Sequence, residues 1–159
     1  MFLPEIRFCG PDDVPAIIEA NGLSLYPWPD AVIARDLAAS SSEQTREDLS
    51  YLGAFSRGSG ARLLGYVVMG HEAGFALLMG LMVLPRYRRR GIGTQLVLAV
   101  AECARSQGRT RLILRVGEAN APARALYEGL SFRRGATRAH YYSDGENAVE
   151  MALSLTRSP

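Results

Sequence analysis

An apolar stretch, Phe75 to Val83, runs directly into Leu84-Pro85-Arg86-Tyr87-Arg88-Arg89-Arg90-Gly91-Ile92-Gly93-Thr94. Beyond it Leu96, Val97, Val100, Ala101 and Ala104 recur at helical spacing. The pattern predicts a strand, a tight basic loop and a helix, and any fold for this chain has to accommodate that unit. Gly91 and Gly93 are expected to let the backbone turn sharply and to leave no Cβ in the way of a ligand. The first helical turn presents N–H groups without intrahelical partners at the positive end of its dipole. Arginines around the glycines strengthen the attraction of such a turn for phosphate. The loop has neither the Gly-Lys-Ser/Thr ending of a nucleoside-triphosphate loop nor the G-x-G-x-x-G spacing of a dinucleotide fold.

A chain of 159 residues is expected to form one domain, residues 1–159, with a substantial core. Its 48 % apolar and 21 % charged content is ordinary for a soluble globular protein. A net charge of +2 is too small to argue for nucleic acid, and Arg86 to Arg90 lack interleaved stacking aromatics beyond Tyr87. Every basic residue is Arg, so lysine Schiff-base chemistry is excluded. Cys9 and Cys103 form no C-x-x-C, and with two His there is no zinc-type cluster. Both thiols are expected to be reduced and buried in a cytoplasmic protein. No signal peptide is visible, and Phe75 to Leu84 is too short and Gly-interrupted to cross a bilayer.

In chain order, Glu5 to Cys9 reads as a first strand, and Gly10-Pro11-Asp12-Asp13 as a helix start. Val14, Ile17, Ile18 and Leu23 give that helix an apolar face, closed by Asn21-Gly22. Tyr26-Pro27-Trp28 makes a rigid corner before a second helix containing Val32, Ile33 and Leu37, and Ser40 to Gln44 reads as loop. Ser50 to Ser56, Leu63 to Gly70 and Phe75 to Val83 are expected to form an antiparallel meander, with His71 to Gly74 as a turn. After the helix at about 91–107 come a strand (Arg111 to Val116), a helix (Asn120 to Leu130) and two strands (Phe132 to Ala136, Ala148 to Leu155). The order predicts an α/β (α+β) mixed sheet, with a right-handed crossover between parallel strands around the basic loop.

With the preceding strand and V-x-P-x-Y-R-R-R, the sequence Arg88-x-x-Gly91-x-Gly93 resembles the acetyl-CoA pyrophosphate loop of the GNAT N-acetyltransferases. The segment from Asn120 to Phe132 resembles the family's N-x-x-A-x-x-L-Y-x-x-x-G-F, with Ser131 where Gly is usual and a strained turn expected there. Tyr26-Pro27-Trp28 and Arg138-Ala139-His140-Tyr141-Tyr142…Asp144-Gly145…Met151 are similar to the ribosomal-protein-alanine (RimI) type. The resemblance implies about seven strands, largely antiparallel with a central parallel pair, and about four helices. It implies acetyl-CoA as co-substrate. Leu81, Met82 and Val83 would hold the pantetheine arm; Arg88, Arg89, Arg90, Gly91, Ile92, Gly93 and Thr94 the pyrophosphate. Asn120, Ala123 and Tyr127 would also contact the cofactor. Tyr127 is implied as the general acid that protonates the departing thiolate, and N–H groups near Val83, where the strand splays, as the polarisers of the thioester carbonyl.

One departure stands out. The type carries a catalytic Glu twelve positions before the tyrosine, and here that position is Arg115. Glu118, His140 and Glu72 are candidate bases by residue type and neighbourhood only, and each also reads as a surface loop residue. Arg115 itself reads equally as a binder of a substrate carboxylate and as an ordinary salt bridge on the sheet. An α-amine with a pKa of roughly 8 is about a tenth neutral at pH 7, whereas a lysine amine at roughly 10.4 is neutral in under about one part in a thousand. A site without an obvious base therefore favours a protein N-terminus as acceptor. A small-molecule amine is the alternative acceptor, and a regulatory domain that binds acetyl-CoA without turnover is the alternative function. No direct nucleic-acid partner and no membrane are expected, and the chain is taken as a monomer or homodimer.

Overall fold

The computed structural model describes residues 3–39 and 49–156, and the loop expected at Ser40 to Gln44 lies outside them. Within the described residues the elements are β1 (Glu5–Phe8), α1 (Val14–Asn21), α2 (Asp30–Ala39), β2 (Leu49–Phe55), β3 (Leu63–Glu72), β4 (Phe75–Val83), α3 (Ile92–Ser106), β5 (Arg111–Gly117), α4 (Ala121–Gly129), β6 (Arg133–Arg138) and β7 (Ala148–Ser154). Short 3-10 turns at Pro11–Asp13 and Pro85–Tyr87 precede α1 and α3. The strands are ordered β1-β2-β3-β4-β5-β7-β6. β4 and β5 run parallel, from Phe75↔Arg111 to Leu78↔Leu114, whereas β1–β2, β2–β3, β5–β7 and β6–β7 are antiparallel. The mixed sheet with four helices agrees with the expectation. None of the described helices is long and apolar enough to cross a membrane.

Contacts divide the chain into two compact units. One comprises the residues up to His71 with Gly80–Val100, the other Glu72–Met79 with the residues from Ala101 onward.

In the first unit β2 and β3 are buried almost throughout, which is why they read as near-continuous apolar runs rather than as an alternation. Ile17, Ala20, Ile33, Leu37, Tyr51, Tyr66 and Met82 share one core. Tyr51 stacks on Tyr66 at 6.3 Å, meets Trp28 edge-on at 6.4 Å, and donates its hydroxyl proton to Asp36 at 2.9 Å. Two details differ from expectation. Leu23 lies beyond the end of α1 and is 57 % exposed, because the helix ends at Asn21 with its apolar stripe already complete. His71 and Glu72 belong to β3, which extends until Ala73 and Gly74 turn the chain; Gly74 supplies the positive φ of 84°. The aromatic corner is fixed by a residue that the sequence marked only as the end of the first helix. Buried Asn21 accepts from the Trp28 N–H at 3.0 Å and donates to its carbonyl at 2.8 Å.

In the second unit Leu112, Leu114 and Val116 of β5 are buried alongside Val149 and Met151 of β7, in the register Leu114↔Met151 and Val116↔Val149. β6 is exposed along its whole length and carries Arg133, Arg134 and Arg138, the charged composition that protects a sheet edge from adding further strands. α3 supplies Leu96, Val97 and Val100 to the first unit and Ala101 and Ala104 to the second, all buried as the helical spacing requires. Neither cysteine is in a disulfide. Cys9 is buried, but Cys103 is only half-buried on α3, so the expectation of two buried thiols is corrected for it.

Candidate functional site

The β4–β5 register ends at Leu78, and β4 runs on through Met79, Gly80, Leu81, Met82 and Val83. Beyond Val83 the Leu84 N–H still donates to the Leu64 carbonyl at 2.9 Å, so this end of β4 is anchored on β3. Its anchoring needs Gly65. A Cβ built there would lie 2.7 Å from the Met82 carbonyl oxygen and 3.1 Å from Val83 Cα. The missing side chain therefore sets how closely β3 holds the backbone of Met82 and Val83. Nothing in the sequence reading singled out this glycine.

The loop then folds on itself. The Tyr87 N–H donates to the Leu84 carbonyl at 2.9 Å, and Arg88 Nε reaches back to the Val83 carbonyl at 3.0 Å. Arg86 and Arg90 hold their guanidinium carbons 6.0 and 5.8 Å from the Tyr87 ring centre. Arg88, Arg89, Arg90 and Gly91 are all exposed. The chain reverses through two left-handed residues, Arg89 (φ 64°) and Gly91 (φ 78°). The expectation that Gly93 shares the turn is corrected: Gly93 is the second residue of α3, and Arg89 occupies the other left-handed position. A Cβ at Gly91 would meet nothing within 4 Å, so its requirement is conformational rather than one of space within the protein. Ile92 is buried and pins the start of α3, whose first bond joins the Gln95 N–H to the Gly91 carbonyl at 3.0 Å. The N–H groups of Ile92, Gly93 and Thr94 precede that bond and lie at the positive end of the helix dipole.

In the second unit Asn120 caps α4, its Oδ1 accepting from the Ala123 N–H at 3.3 Å. One face of the helix buries Tyr127. The helix ends in a Schellman arrangement: the Ser131 N–H donates to the Glu128 carbonyl and the Phe132 N–H to the Tyr127 carbonyl, both at 3.0 Å. The arrangement requires a left-handed residue, and Ser131 takes that role at φ 75°, as the strain expected there implies. Phe132 is buried and meets the Tyr127 ring edge-on at 5.6 Å, so the helix end immobilises the tyrosine. Burial pushes the Tyr127 phenol up to about 12, with a further rise from the neighbouring Tyr142 hydroxyl. It is therefore a proton donor throughout the neutral range.

Among the described residues none of the charged candidates is paired with another of them; three meet other groups through their side chains, and Glu72 through its backbone. Glu118 receives Arg134 at 3.1 Å and Asn147 at 3.4 Å. His140 is exposed, has φ 53°, and sets Nδ1 3.3 Å from the Gly145 carbonyl. Glu72 ends β3, and its backbone carbonyl accepts Arg109 at 2.6 Å. Arg115 faces Glu150 across the β5–β7 register, with Nε 3.4 Å from Oε2. The salt-bridge reading of Arg115 is thus met, although its partner was not foreseen. Glu150 and Tyr142 are among the residues of this neighbourhood to which the sequence assigned no role. Tyr142 stands in the quoted Tyr-Tyr pair, but its hydrogen bond to the Arg115 carbonyl, at 3.4 Å, follows only from the fold.

The sequence profile described as the acetyltransferase (GNAT) family matches residues 16–132. An N-alpha-acetyltransferase of Saccharolobus solfataricus is 31 % identical over 161 aligned positions, which cover 91 % of this chain and 89 % of that one. An N-alpha-acetyltransferase of Sulfurisphaera tokodaii is 34 % identical over 58 % of this chain, and the match spans 64 % of that protein's length. The crystal structure of the ribosomal-protein-S18-alanine N-acetyltransferase from Escherichia coli superposes with a TM-score of 0.81 at 25 % identity, covering 99 % of this chain and 97 % of the other.

Proposed function

The chain belongs to the acetyltransferase (GNAT) family, and on that premise we propose that it is an acetyl-CoA-dependent N-terminal protein acetyltransferase, folded as one catalytic domain over residues 1–159 and working in the cytoplasm. The observation that carries the reading is the β4–α3 turn. Exposed arginines precede a left-handed Gly91 in the chain, and the N–H groups of Ile92, Gly93 and Thr94 at the helix start have no intrahelical partner. A diphosphate suits that turn, since it offers many anionic oxygens to donors fixed in place before binding.

Acetyl-CoA is the donor substrate. Arg88 to Thr94 bind its pyrophosphate, and the backbone of Leu81 to Val83 holds the pantetheine arm as an added strand would be held. N–H groups near Val83 polarise the thioester carbonyl. Asn120 and Ala123 contribute from the start of α4. The neutral amine attacks the carbonyl carbon; the C–N bond forms, the C–S bond breaks, and the amine loses its proton to water. Tyr127 passes its phenolic proton to the leaving thiolate and is reprotonated from solvent. Its raised pKa keeps the phenol protonated, and so holding a proton to give, throughout the neutral range. Holding amine and thioester together supplies much of the acceleration. Among the described residues Glu118 and Glu150, two carboxylates at this end of the sheet, are both paired with arginines, which favours an α-amine, already partly neutral at pH 7, over a lysine.

Calorimetry with acetyl-CoA tests the donor, and thiol release with an Ala-starting peptide, compared with polyamines and aminoglycosides, tests the acceptor. Turnover confined to the small amines overturns the protein-acceptor reading. Tight acetyl-CoA binding without turnover of any amine assigns the chain to a regulatory role instead.

A further inference from the structure

Glu150 is shared. Arg115 Nε approaches its Oε2 at 3.4 Å and Arg138 Nη2 approaches the same oxygen at 3.7 Å. One carboxylate oxygen therefore serves two guanidinium groups, a local excess of positive charge at that oxygen, with Glu146 the next carboxylate towards Tyr142. The nearby pair Glu118–Arg134 is balanced and does not offset it. Nor is the sharing tight. Charge-assisted N–H···O bonds are ordinarily about 2.7–2.9 Å long, and Arg115 Nε, covered from solvent, has no hydrogen-bond acceptor at all. A covered Nε is closed to a ligand, so the Nη end of the fork is what Arg115 has to offer, on a side chain still 30 % exposed, with Arg138 53 % exposed.

The location of this charge matters as much as its size. The Tyr141 ring lies 5.9 Å from the Arg115 guanidinium carbon and packs edge-on against Tyr142 at 5.0 Å. The Tyr142 hydroxyl bonds the Arg115 carbonyl, and its field is felt at Tyr127, the acid of the proposed reaction. We infer that Arg115 and Arg138 form an acceptor-side subsite for a carboxylate, so that the favoured acceptor is a peptide whose free α-amine is accompanied by Asp or Glu within its first two residues. A planar fork offered to a second carboxylate is the recognition geometry at which Arg excels. The same charge opposes the approach of a basic peptide and of the protonated amine. The inference deepens the proposed function and rests on it.

The test compares kcat/KM for three peptides that differ only at their second residue, Ala-Asp, Ala-Asn and Ala-Lys, at saturating acetyl-CoA and at low and high salt. The Asp peptide is expected to exceed the Asn peptide roughly tenfold at low ionic strength, equivalent to about 1.4 kcal/mol. The Lys peptide is expected to be the poorest, and the ratios to shrink in salt. Arg115→Gln brings the Asp/Asn ratio close to one, and Glu150→Gln, which removes the internal competitor, widens it. Because the wild-type ratios and their salt dependence stand alone, a variant that fails to fold does not remove the test. Equal turnover of Asp and Asn peptides overturns the subsite and leaves the acetyltransferase standing. No turnover of any of the three, with acetyl-CoA still bound, overturns the reading beneath it.

Discussion

Replacing Gly65 with Ala adds a single methyl group at the point where β3 holds the end of β4. That Cβ would lie 2.7 Å from the Met82 carbonyl oxygen, with Val83 Cα at 3.1 Å. Both neighbours are backbone, so no side chain can rotate out of the way. Relief to an ordinary contact of about 3.4 Å requires the Met82–Val83 backbone to move by about 0.7 Å. Overpacking of this kind costs about 1–3 kcal/mol of stability. The displaced segment is also the one proposed to carry the N–H groups that polarise the thioester carbonyl. A shift approaching 1 Å in reacting geometry lowers rates by up to about 100-fold, so a drop of roughly 10- to 100-fold in kcat is expected. Affinity for free coenzyme A, gripped by the loop after β4, should change far less. Urea denaturation gives the first number, thiol-release kinetics the second, and calorimetry with coenzyme A the third. A variant with kcat within twofold of wild type and an unchanged denaturation midpoint would refute the claim that this close approach positions the strand end.

Tyr127→Phe keeps the edge contact with Phe132 while removing the phenolic proton; kcat should fall about 100-fold or more, with acetyl-CoA affinity within about threefold. Unchanged turnover would remove the acid role. Ser131→Gly relieves a left-handed residue at the end of α4 and should raise stability by about 1 kcal/mol in denaturant unfolding; a loss of stability would show that Ser131 is not strained. Asp13 accepts from Arg7 at 3.0 Å and from the Gly10 N–H at 2.8 Å. Burial opposes ionisation, but the hydrogen bonds from Arg7 and Gly10 outweigh it and hold the carboxyl below its usual range. A lowered folded pKa means that its stabilisation is present above the ordinary carboxylate pKa and is lost as pH falls through the folded value. With Arg7 44 % exposed and the pair partly screened, Asp13→Asn should cost about 1 kcal/mol at pH 7, and the gap from wild type should close as pH falls below the ordinary carboxylate pKa and through the lower folded value. A gap that persists in acid would point to a packing defect instead.

Much of this protein was written locally. The glycine that turns left-handed, the run of exposed arginines, the spacing that buries Leu96, Val97 and Val100, and the Asn cap of α4 all act within a few residues of themselves. Their physics needs no knowledge of the remainder of the chain. Even the strain at Ser131 was legible, since a Schellman ending requires positive φ whatever packs around it. Where local reading failed, a neighbour could compensate: Arg89 took the left-handed position expected of Gly93, and an apolar Leu23 had no helix left to join. The remaining features depend on which strand lies beside which. Gly65 matters only because β3 abuts Met82, seventeen residues on in the chain, and Arg115 meets Glu150 only because β5 and β7 pair in one particular register. A shift of one residue would send either side chain to the opposite face of the sheet. Register is set by the packing of the whole sheet, so the glycine–arginine turn before α3 could be read from the sequence, whereas the pairing of Arg115 with Glu150 could not.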